Sequence, residues 1–274
     1  MMPVHDELGR RMKEFYETVP KTKLMRRTPV AIRIDGKAFH TFTKGFRKPF
    51  DTILIQSMCE TTKYLCENIQ GCVLGYTQSD EITLILVDYQ TFDTAAWFDY
   101  EVQKICSIAA SMATMAFNKY FNYNIDEYQR NHFENGTEFD RAYWERLIAA
   151  ARKGAMFDAR CFNIPREEVT NLIYWRQLDA TRNSIQMVGQ AYFSHNELHG
   201  KSCNNIQDML MLQKGINWND LPIYQKRGAC VIRQFEIEPD ENGIFRRHWA
   251  IDTKIPIFKG DDREYIEELI YFEE

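Results

Sequence analysis

Two short stretches of this chain place a carboxylate where a predicted strand ends. Ile32-Arg33-Ile34 is an apolar strand pattern that leads into Asp35, and Asp80 lies between two further strand patterns. Carboxylates that meet at one edge of a sheet can bind Mg²⁺ through oxygen, while triphosphate oxygens complete the coordination. The order strand, acid, helix, strand, acid, strand therefore predicts a two-metal site of the palm type, provided that the two strands are sheet neighbours.

Both acids also have an ordinary interpretation. Asp-Gly and Ser-Asp pairs are common in turns, where the acidic side chain bonds local backbone and glycine supplies a positive φ. A single Asp-Gly pair would indicate a turn and nothing more. Only the ordered pair of acids favours a metal site, so both interpretations stay open at this level.

The composition is that of a globular protein. With 274 residues and 45% hydrophobic residues, the chain can bury a sizeable core. No apolar stretch approaches the roughly 18 residues of a membrane span, so we expect no membrane insertion, no secretion and a cytoplasmic location. Seven cysteines without a Cys-x-x-Cys pair indicate reduced thiols rather than zinc ligands.

The net charge of −5 gives the whole chain no nucleic-acid signature. A polyanionic partner would have to meet local basic surface. Any single basic cluster is more typical of a solvated face. The clusters are Lys21, Lys23, Arg26 and Arg27; Lys44, Arg47 and Lys48; Lys226 and Arg227; and Arg246 and Arg247.

The predicted elements follow the order β-α-β-β-α-β, which is typical of a ferredoxin-like fold. We therefore predict an α+β palm domain with helices packed on the sheet. We also expect the strands over 29–35 and 72–77 to be direct neighbours. The predicted strands cover 29–35, 72–77, 82–87 and 156–164, and the main helices cover 52–68 and 100–121.

The rest of the chain is predicted as an extension of the same domain. The single domain would cover residues 1–274, with a core over about 28–165 and a C-terminal extension over about 166–274. The other predicted elements are an N-terminal helix, a short helix over 143–153, a helix over 165–193 with a possible break at Gly189, a helix over 204–214 closed by Gly215, a hairpin of 228–238 and 247–258 around a turn at 239–243, and a final short helix.

Motifs along the chain resemble those of the tRNA-His guanylyltransferase family. They come in the family's order, from about residue 10 to about residue 235, and their combination is specific. The motifs are Arg33-Ile34-Asp35-Gly36-Lys37-Ala38-Phe39-His40-Thr41-Phe42, Lys48-Pro49-Phe50-Asp51, Gln78-Ser79-Asp80-Glu81, Phe157-Asp158-Ala159-Arg160, Tyr174-Trp175-Arg176-Gln177 with Asp179, and Gly215-Ile216-Asn217-Trp218-Asn219 before Leu221-Pro222.

The resemblance implies a palm-domain enzyme, usually a homotetramer, that adds nucleotides to a tRNA 5′ end in the 3′-to-5′ direction. It implies Asp35 and Asp80 as catalytic ligands of two Mg²⁺ ions, with the Gly36 carbonyl as a further ligand. ATP and GTP would be substrates, and backbone N–H groups would wrap the triphosphate. The implied nucleotide-binding residues are Asp35, Gly36, Lys37, Ala38, Phe39, His40, Lys48, Ser79 and Asp80.

Two neighbouring residues receive smaller roles. Glu81 follows Asp80 on a strand, where adjacent side chains face opposite ways, so we expect it not to bind the same metals. His40 is expected to pack or hydrogen-bond rather than act as a general base. The tRNA would contact basic and polar groups outside the palm, for which the candidates are Arg26, Arg27, Arg182, Asn183, Lys201, Lys226 and Arg227.

One departure from the family pattern bears on the substrate. Enzymes that add guanylate to tRNA-His without a template carry His-Ile-Asn-Asn-Leu-Tyr-Asn after Trp-Arg-Gln, whereas this chain has Thr181-Arg182-Asn183-Ser184-Ile185-Gln186-Met187. The branch that lacks the histidine prefers template-directed repair of 5′-truncated tRNA, which we therefore expect. The alternatives are a tRNA-His-specific guanylyltransferase, a nucleotide cyclase or signalling-nucleotide synthase, and a non-catalytic RNA-binding module.

Overall fold

A six-stranded antiparallel sheet forms the centre of the computed structural model, which describes residues 6–136, 139–235 and 247–272. The sheet order is β4-β1-β3-β2-β5-β6, and its first four strands have the ferredoxin-like arrangement. The predicted α+β fold is therefore confirmed, and β5 and β6 widen the sheet. The strands are β1 (Val30–Gly36), β2 (Cys72–Gln78), β3 (Glu81–Leu86), β4 (Phe157–Asn163), β5 (Ala229–Phe235) and β6 (Arg247–Asp252).

The expectation that the strands over 29–35 and 72–77 are direct neighbours is wrong. β3 lies between β1 and β2 and pairs antiparallel with both, so that Asp35 is opposite Glu81 and Gln78 is opposite Glu81 on the other side. The tight turn after β2 returns the chain beside β2, and β3 there fills the ladder positions that β1 and β2 both leave open. Asp80, which directly precedes β3, therefore lies at the same end of the sheet as Asp35 because β3 pairs with β1.

Helices cover both faces of the sheet. Two of them pack against the face that carries Val30, Ile32 and Ile34, and a third packs against the face that carries Ala31. The helices are α1 (Glu7–Met12), α2 (Phe39–Phe42), α3 (Thr52–Asn68), α4 (Val102–Asn135), α5 (Arg141–Lys153), α6 (Arg166–Tyr192), α7 (His195–Leu198), α8 (Cys203–Lys214), α9 (Ile223–Arg227) and α10 (Glu264–Glu267); α3 and α4 cover the first face and α6 the second.

Two helices differ from their predictions. α4 continues beyond residue 121 to Asn135 because its polar second half packs on α5, where the Tyr128 ring meets Tyr143 edge to face. α6 runs without a break through Gly189. A Cβ at Gly189 would lie 2.8 Å from Ile206, so this glycine allows α8 to approach closely.

The predicted N-terminal helix and the predicted β-hairpin are both present. The N-terminal helix is α1 followed by a π-helical turn, Lys13–Glu17. β5 and β6 pair as the predicted hairpin, but its turn at 239–243 lies outside the described residues. None of the helices in the described ranges is long and apolar enough to span a membrane.

Candidate active site

Asp35 and Asp80 lie at the same end of the sheet. Asp35 is near the end of β1, and Asp80 lies in the turn between β2 and β3, where Ser79 adopts a left-handed φ of 51°. The Gly36 amide donates to the Asp80 carbonyl oxygen at 3.1 Å, which ties the end of β1 to the turn. The fold therefore brings together the two acids that are 45 positions apart in the printed sequence.

Both carboxyl groups have raised pKa values. Burial raises the pKa of Asp35, and the charges of Glu81 and Asp158 raise it further. Burial also raises the pKa of Asp80, although the Ser79 hydroxyl, 3.0 Å away, stabilises the ionised form. Both carboxylates thus lie where a positive charge would stabilise them.

The charges of Arg160 and Arg33 lower the pKa of Asp35, but by less than burial and the neighbouring acids raise it. Arg33 forms its ion pair with Glu81 at 2.8 Å, and Arg160 forms its ion pair with Asp158 at 3.1 Å. Asp35 and Asp80 form no ion pair of their own among the described residues, and two such carboxylates beside the Gly36 backbone carbonyl are a donor set that fits a hard divalent cation. Since no group of three or more His, Cys, Asp or Glu residues is arranged for a metal in the described part of the chain, triphosphate or water would have to supply further ligands.

A cavity of about 470 Å³ opens beside these acids. The loop after β1, the first turn of α3, the Ser79-Asp80 turn and Met187 of α6 form its walls. Of the residues predicted to bind nucleotide, all but Asp35 and Lys37 line it: Gly36, Ala38, Phe39, His40, Lys48, Ser79 and Asp80.

The backbone donors for a triphosphate are fewer than the resemblance implied. The Gly36 amide is bonded to Asp80, and the Lys37 amide donates to the Met156 carbonyl at 2.8 Å. Ala38, in a left-handed conformation, precedes the single turn of α2. Within the described residues the amides of 38–40 have no acceptor, so only this part of the 35–40 segment offers free N–H groups to an anion.

Lys48 lies in a loop that is held in place by hydrogen bonds to Asp51. The Asp51 carboxylate accepts from the Arg47 amide at 3.1 Å, from the Leu54 amide at 3.0 Å and from the Tyr143 hydroxyl at 2.7 Å. Burial and the bond to Asp51 raise the pKa of Tyr143, which therefore remains a donor. Sequence reasoning missed this role of Asp51, although an Asp directly before a helical pattern is a typical N-cap.

Glu81 lies on the same face as Asp35 because the two residues are directly opposite in the β1–β3 ladder. Strand alternation therefore separates Glu81 from Asp80 but not from Asp35. Its buried carboxylate is instead occupied by arginines: Arg33 donates at 2.8 Å, and Arg176 donates at 2.6 and 2.8 Å. Arg176 also donates to Asp179 at 2.8 Å. The Arg176 side chain of α6 therefore links this helix to the β2–β3 hairpin through Glu81.

The predicted tRNA-binding residues are scattered. Arg26 and the Arg27 amide bond to Asp88, just beyond β3, at the opposite end of the sheet from Asp80. Lys226 is only 7% exposed and donates to the Asn219 carbonyl, which argues against the tRNA-binding role predicted for it. Three others lie elsewhere: Arg182 and Asn183 on α6 beside Asp179, and exposed Lys201 before α8. Arg227 is half-buried, and its backbone carbonyl oxygen accepts a hydrogen bond from the Tyr76 hydroxyl.

The ferredoxin-like sheet with two acids at one end, beside a cavity, is the arrangement of a palm-type nucleotidyltransferase. The model of the family described as Thg1, tRNAHis guanylyltransferase, matches residues 9–165, more than half of the chain. The protein therefore belongs to the tRNA-His guanylyltransferase family and is a nucleotidyltransferase, as the motifs predicted.

Comparisons with individual proteins support membership of the same family. A bacterial tRNA(His) guanylyltransferase (Thg1)-like protein in complex with ATP has a TM-score of 0.78 and 42% identity, over 96% of this chain and 99% of that one. A bacterial Thg1-like protein in complex with GTP has a TM-score of 0.75 and 40% identity, over 97% and 100%. The tRNA(His) guanylyltransferase of Saccharomyces cerevisiae is 25% identical over 226 residues, which are 76% of this chain and 84% of the yeast protein.

Proposed function

We propose that this protein adds nucleotides to the 5′ end of tRNA in the 3′-to-5′ direction, by template-directed repair of 5′-truncated tRNA. The observation that carries the proposal is the pair Asp35 and Asp80 at one end of the sheet, neither in an ion pair within the described residues, with Asp80 lining a cavity that has free backbone donors. The similarity to Thg1-like proteins solved with ATP and GTP supports nucleotides as the occupants.

The cavity suits a nucleoside triphosphate. Its volume of about 470 Å³ lies within the range of small-molecule sites. The amides of 38–40 can donate to phosphate oxygens, and the Lys48 ammonium is a compact charge for a further oxygen. The triphosphate is therefore proposed to lie along the loop after β1, with ATP or GTP as substrate.

The reaction has two steps. The tRNA 5′-monophosphate first attacks the α-phosphate of a nucleoside triphosphate and releases pyrophosphate. The 3′-hydroxyl of an incoming nucleotide then attacks the activated 5′ phosphorus and expels the nucleotide leaving group. Bound Mg²⁺ would lower the pKa of the hydroxyl and neutralise the leaving oxygens.

The protein groups hold and orient the reactants. Asp35 and Asp80, with the Gly36 carbonyl, would hold the two Mg²⁺ ions, for which both carboxyl groups must be ionised. The Ser79 hydroxyl assists because its hydrogen bond to Asp80 favours the ionised carboxylate. Lys48 and the amides of 38–40 hold phosphate oxygens, and no protein nucleophile is needed.

Template direction is supported by the helix segment where the tRNA-His-specific enzymes carry histidine. Thr181 occupies that position, and its hydroxyl donates to the Gln177 carbonyl of its own helix at 2.9 Å. The next residue, Arg182, is bonded to Asp179. The 42% identity to a Thg1-like protein, against 25% to the yeast enzyme, also favours the branch that repairs truncated tRNA.

We also propose a homotetramer, in which one tRNA contacts several subunits. This would explain how a chain of net charge −5 binds RNA. Analytical ultracentrifugation with and without tRNA tests it, and a monomer under both conditions would remove the multi-subunit arrangement.

The deciding experiment is extension of a 5′-labelled, monophosphorylated tRNA that lacks its first nucleotide, with Mg²⁺, ATP and each single nucleotide. Only the nucleotide complementary to the opposite base should be added. A matched tRNA with that base changed should direct addition of the new complement. Guanylate addition to full-length tRNA-His alone would establish the tRNA-His-specific alternative instead.

The two remaining alternatives have separate readouts. A cyclase or signalling-nucleotide synthase would release pyrophosphate from nucleotides in the absence of tRNA. A non-catalytic RNA-binding module would bind tRNA without extending either substrate.

A further inference from the structure

We propose that a groove at the end of the sheet opposite Asp80 binds an unpaired stretch of the tRNA substrate. Two adjoining cavities, of about 240 and 340 Å³, share Gln90 and Phe272 and together form this groove. We call it the arginine groove, after the residues that give it its character: Arg27, Phe92, Arg166, Phe272, Arg233 and Arg247.

Charge is the first argument. Four arginines from separate parts of the chain line the groove, although the protein as a whole carries a net charge of −5. Among the lining residues that the structure describes, Glu268 is the only one with a carboxylate. Guanidinium groups bind phosphate oxygens and also stack on bases, so such a lining suits nucleic acid better than a neutral ligand.

An exposed aromatic side chain is the second argument. Phe92 is 90% exposed, more than any other large hydrophobic side chain in the described ranges. Its turn is ordered by hydrogen bonds, because the Thr91 amide donates to the Thr94 hydroxyl at 2.9 Å and Arg26 donates to the Thr94 carbonyl at 3.2 Å. A phenyl ring held in solvent on a braced turn is a platform on which a base can stack.

The lining of the groove already contains a guanidinium packed over an aromatic ring. The Arg166 guanidinium lies 4.0 Å from the centre of the Tyr89 ring, and Phe272 meets the same ring edge to face at 5.8 Å. The Tyr89 ring therefore supports the guanidinium of Arg166 in the lining of the groove. Unpaired bases, whose faces are open, fit this surface; the covered bases of a duplex do not.

The arginine groove lies far from the catalytic acids. The whole of β3 separates it from Asp80, which is about 20 Å at 3.3 Å per residue. The groove is therefore too distant to hold the reacting nucleotide. It can anchor another part of the tRNA whose 5′ end is in the catalytic cavity, an interpretation that rests on the proposed function.

Binding to a fluorescently labelled single-stranded oligoribonucleotide, without nucleotides or Mg²⁺, tests the groove directly. Phe92→Ala should weaken binding about 5- to 100-fold, the usual loss for one stacked base. Phe133→Ala is the matched control, because Phe133 is 71% exposed on α4, away from the groove. Arg27→Gln should reduce the slope of log affinity against log salt by about 0.7, as expected for one lost single-strand phosphate contact.

The same variants in the extension assay should raise KM for truncated tRNA and leave kcat unchanged. Wild-type affinity for both the oligonucleotide and tRNA in Phe92→Ala and Arg27→Gln would overturn the groove, even if the wild type extends tRNA normally. Preference of the wild type for a duplex of the same length would also overturn it. Conversely, groove-dependent binding in a protein that extends no tRNA would uphold the RNA site and remove the proposed function.

Discussion

The Arg176 guanidinium donates two hydrogen bonds to the Glu81 carboxylate, of 2.6 Å from Nε and 2.8 Å from Nη2. Both side chains are buried. Glu81 directly follows Asp80 in the chain and lies opposite Asp35 in the sheet. α6 on one face of the sheet thereby holds the first residue of β3, which directly follows the second acid. The same contact brings positive charge to a third carboxylate, whose own charge raises the pKa of both acids of the candidate site.

Breaking this buried ion pair should strongly destabilise the protein. Arg176→Ala leaves Glu81 buried with Arg33 as its remaining partner, which should cost about 3–5 kcal/mol in urea unfolding. Arg176→Lys should recover only part of this loss because lysine cannot form the two-pronged contact. Arg160→Ala, which removes an exposed ion pair with Asp158, should cost no more than about 1 kcal/mol, and equal losses in the two alanine variants would contradict the argument.

The two acids of the site should be indispensable for activity and dispensable for folding. Asp35→Asn and Asp80→Asn should each lower tRNA extension by more than about 100-fold, since loss of residues that merely support metal ligands already costs 10- to 100-fold. Asp158→Asn is the control, because Asp158 lies directly opposite Asp35 but is exposed and paired with Arg160. Circular dichroism checks the fold, and near wild-type turnover in either acid variant would remove the metal site.

The pH dependence of stability should report the same acids. Burial raises the pKa of Asp35 and Asp80 above 3.8, so the folded protein binds their protons more tightly than the unfolded chain does. Without metal, their contribution to stability is therefore present at acid pH and is lost as pH rises through the raised pKa values. Asp80→Asn should unfold at a higher temperature than the wild type at neutral pH in chelator, and the difference should disappear at acid pH.

Added Mg²⁺ provides the complementary measurement. It should raise the unfolding temperature of the wild type at neutral pH more than that of Asp80→Asn, because a ligand that binds only the folded state stabilises it. An equal shift in both proteins would show that the ion acts elsewhere.

Lys48 should contribute to nucleotide binding more than its neighbour in the same loop does. Lys48→Ala should raise KM for ATP about 10- to 100-fold, the value of one hydrogen bond to a charged phosphate. Lys44→Ala is the matched control, because Lys44 is also exposed but does not line the cavity. Equal KM values for both variants in the extension assay would exclude a direct contact from Lys48.

Most of the fold was accessible from the sequence because its signals are local. α3 has the predicted bounds, Thr52–Asn68, since the helical spacing of its residues is a local signal. The strands β1 to β4 lie within about two residues of their predictions. The second half of α4 escaped prediction because its polar residues are kept helical by packing on α5, a contact that no local pattern encodes.

The candidate site divides in the same way. Strand patterns that end in acids identified Asp35 and Asp80, and an Asp before a helix could have identified Asp51. Nothing local indicated that the amides of Gly36 and Lys37 would be used by Asp80 and Met156, because these partners are distant in the chain.

The sequence by itself therefore determined the order of elements, the two acids and the family motifs, all of which depend on residue types and short spacings. Tertiary structure alone decided that β3 separates β1 from β2, that Arg176 meets Glu81 from 95 residues away, and that four arginines share one groove. These relationships arise from hydrogen-bond ladders and packing between distant segments, whose energies no short stretch of sequence contains.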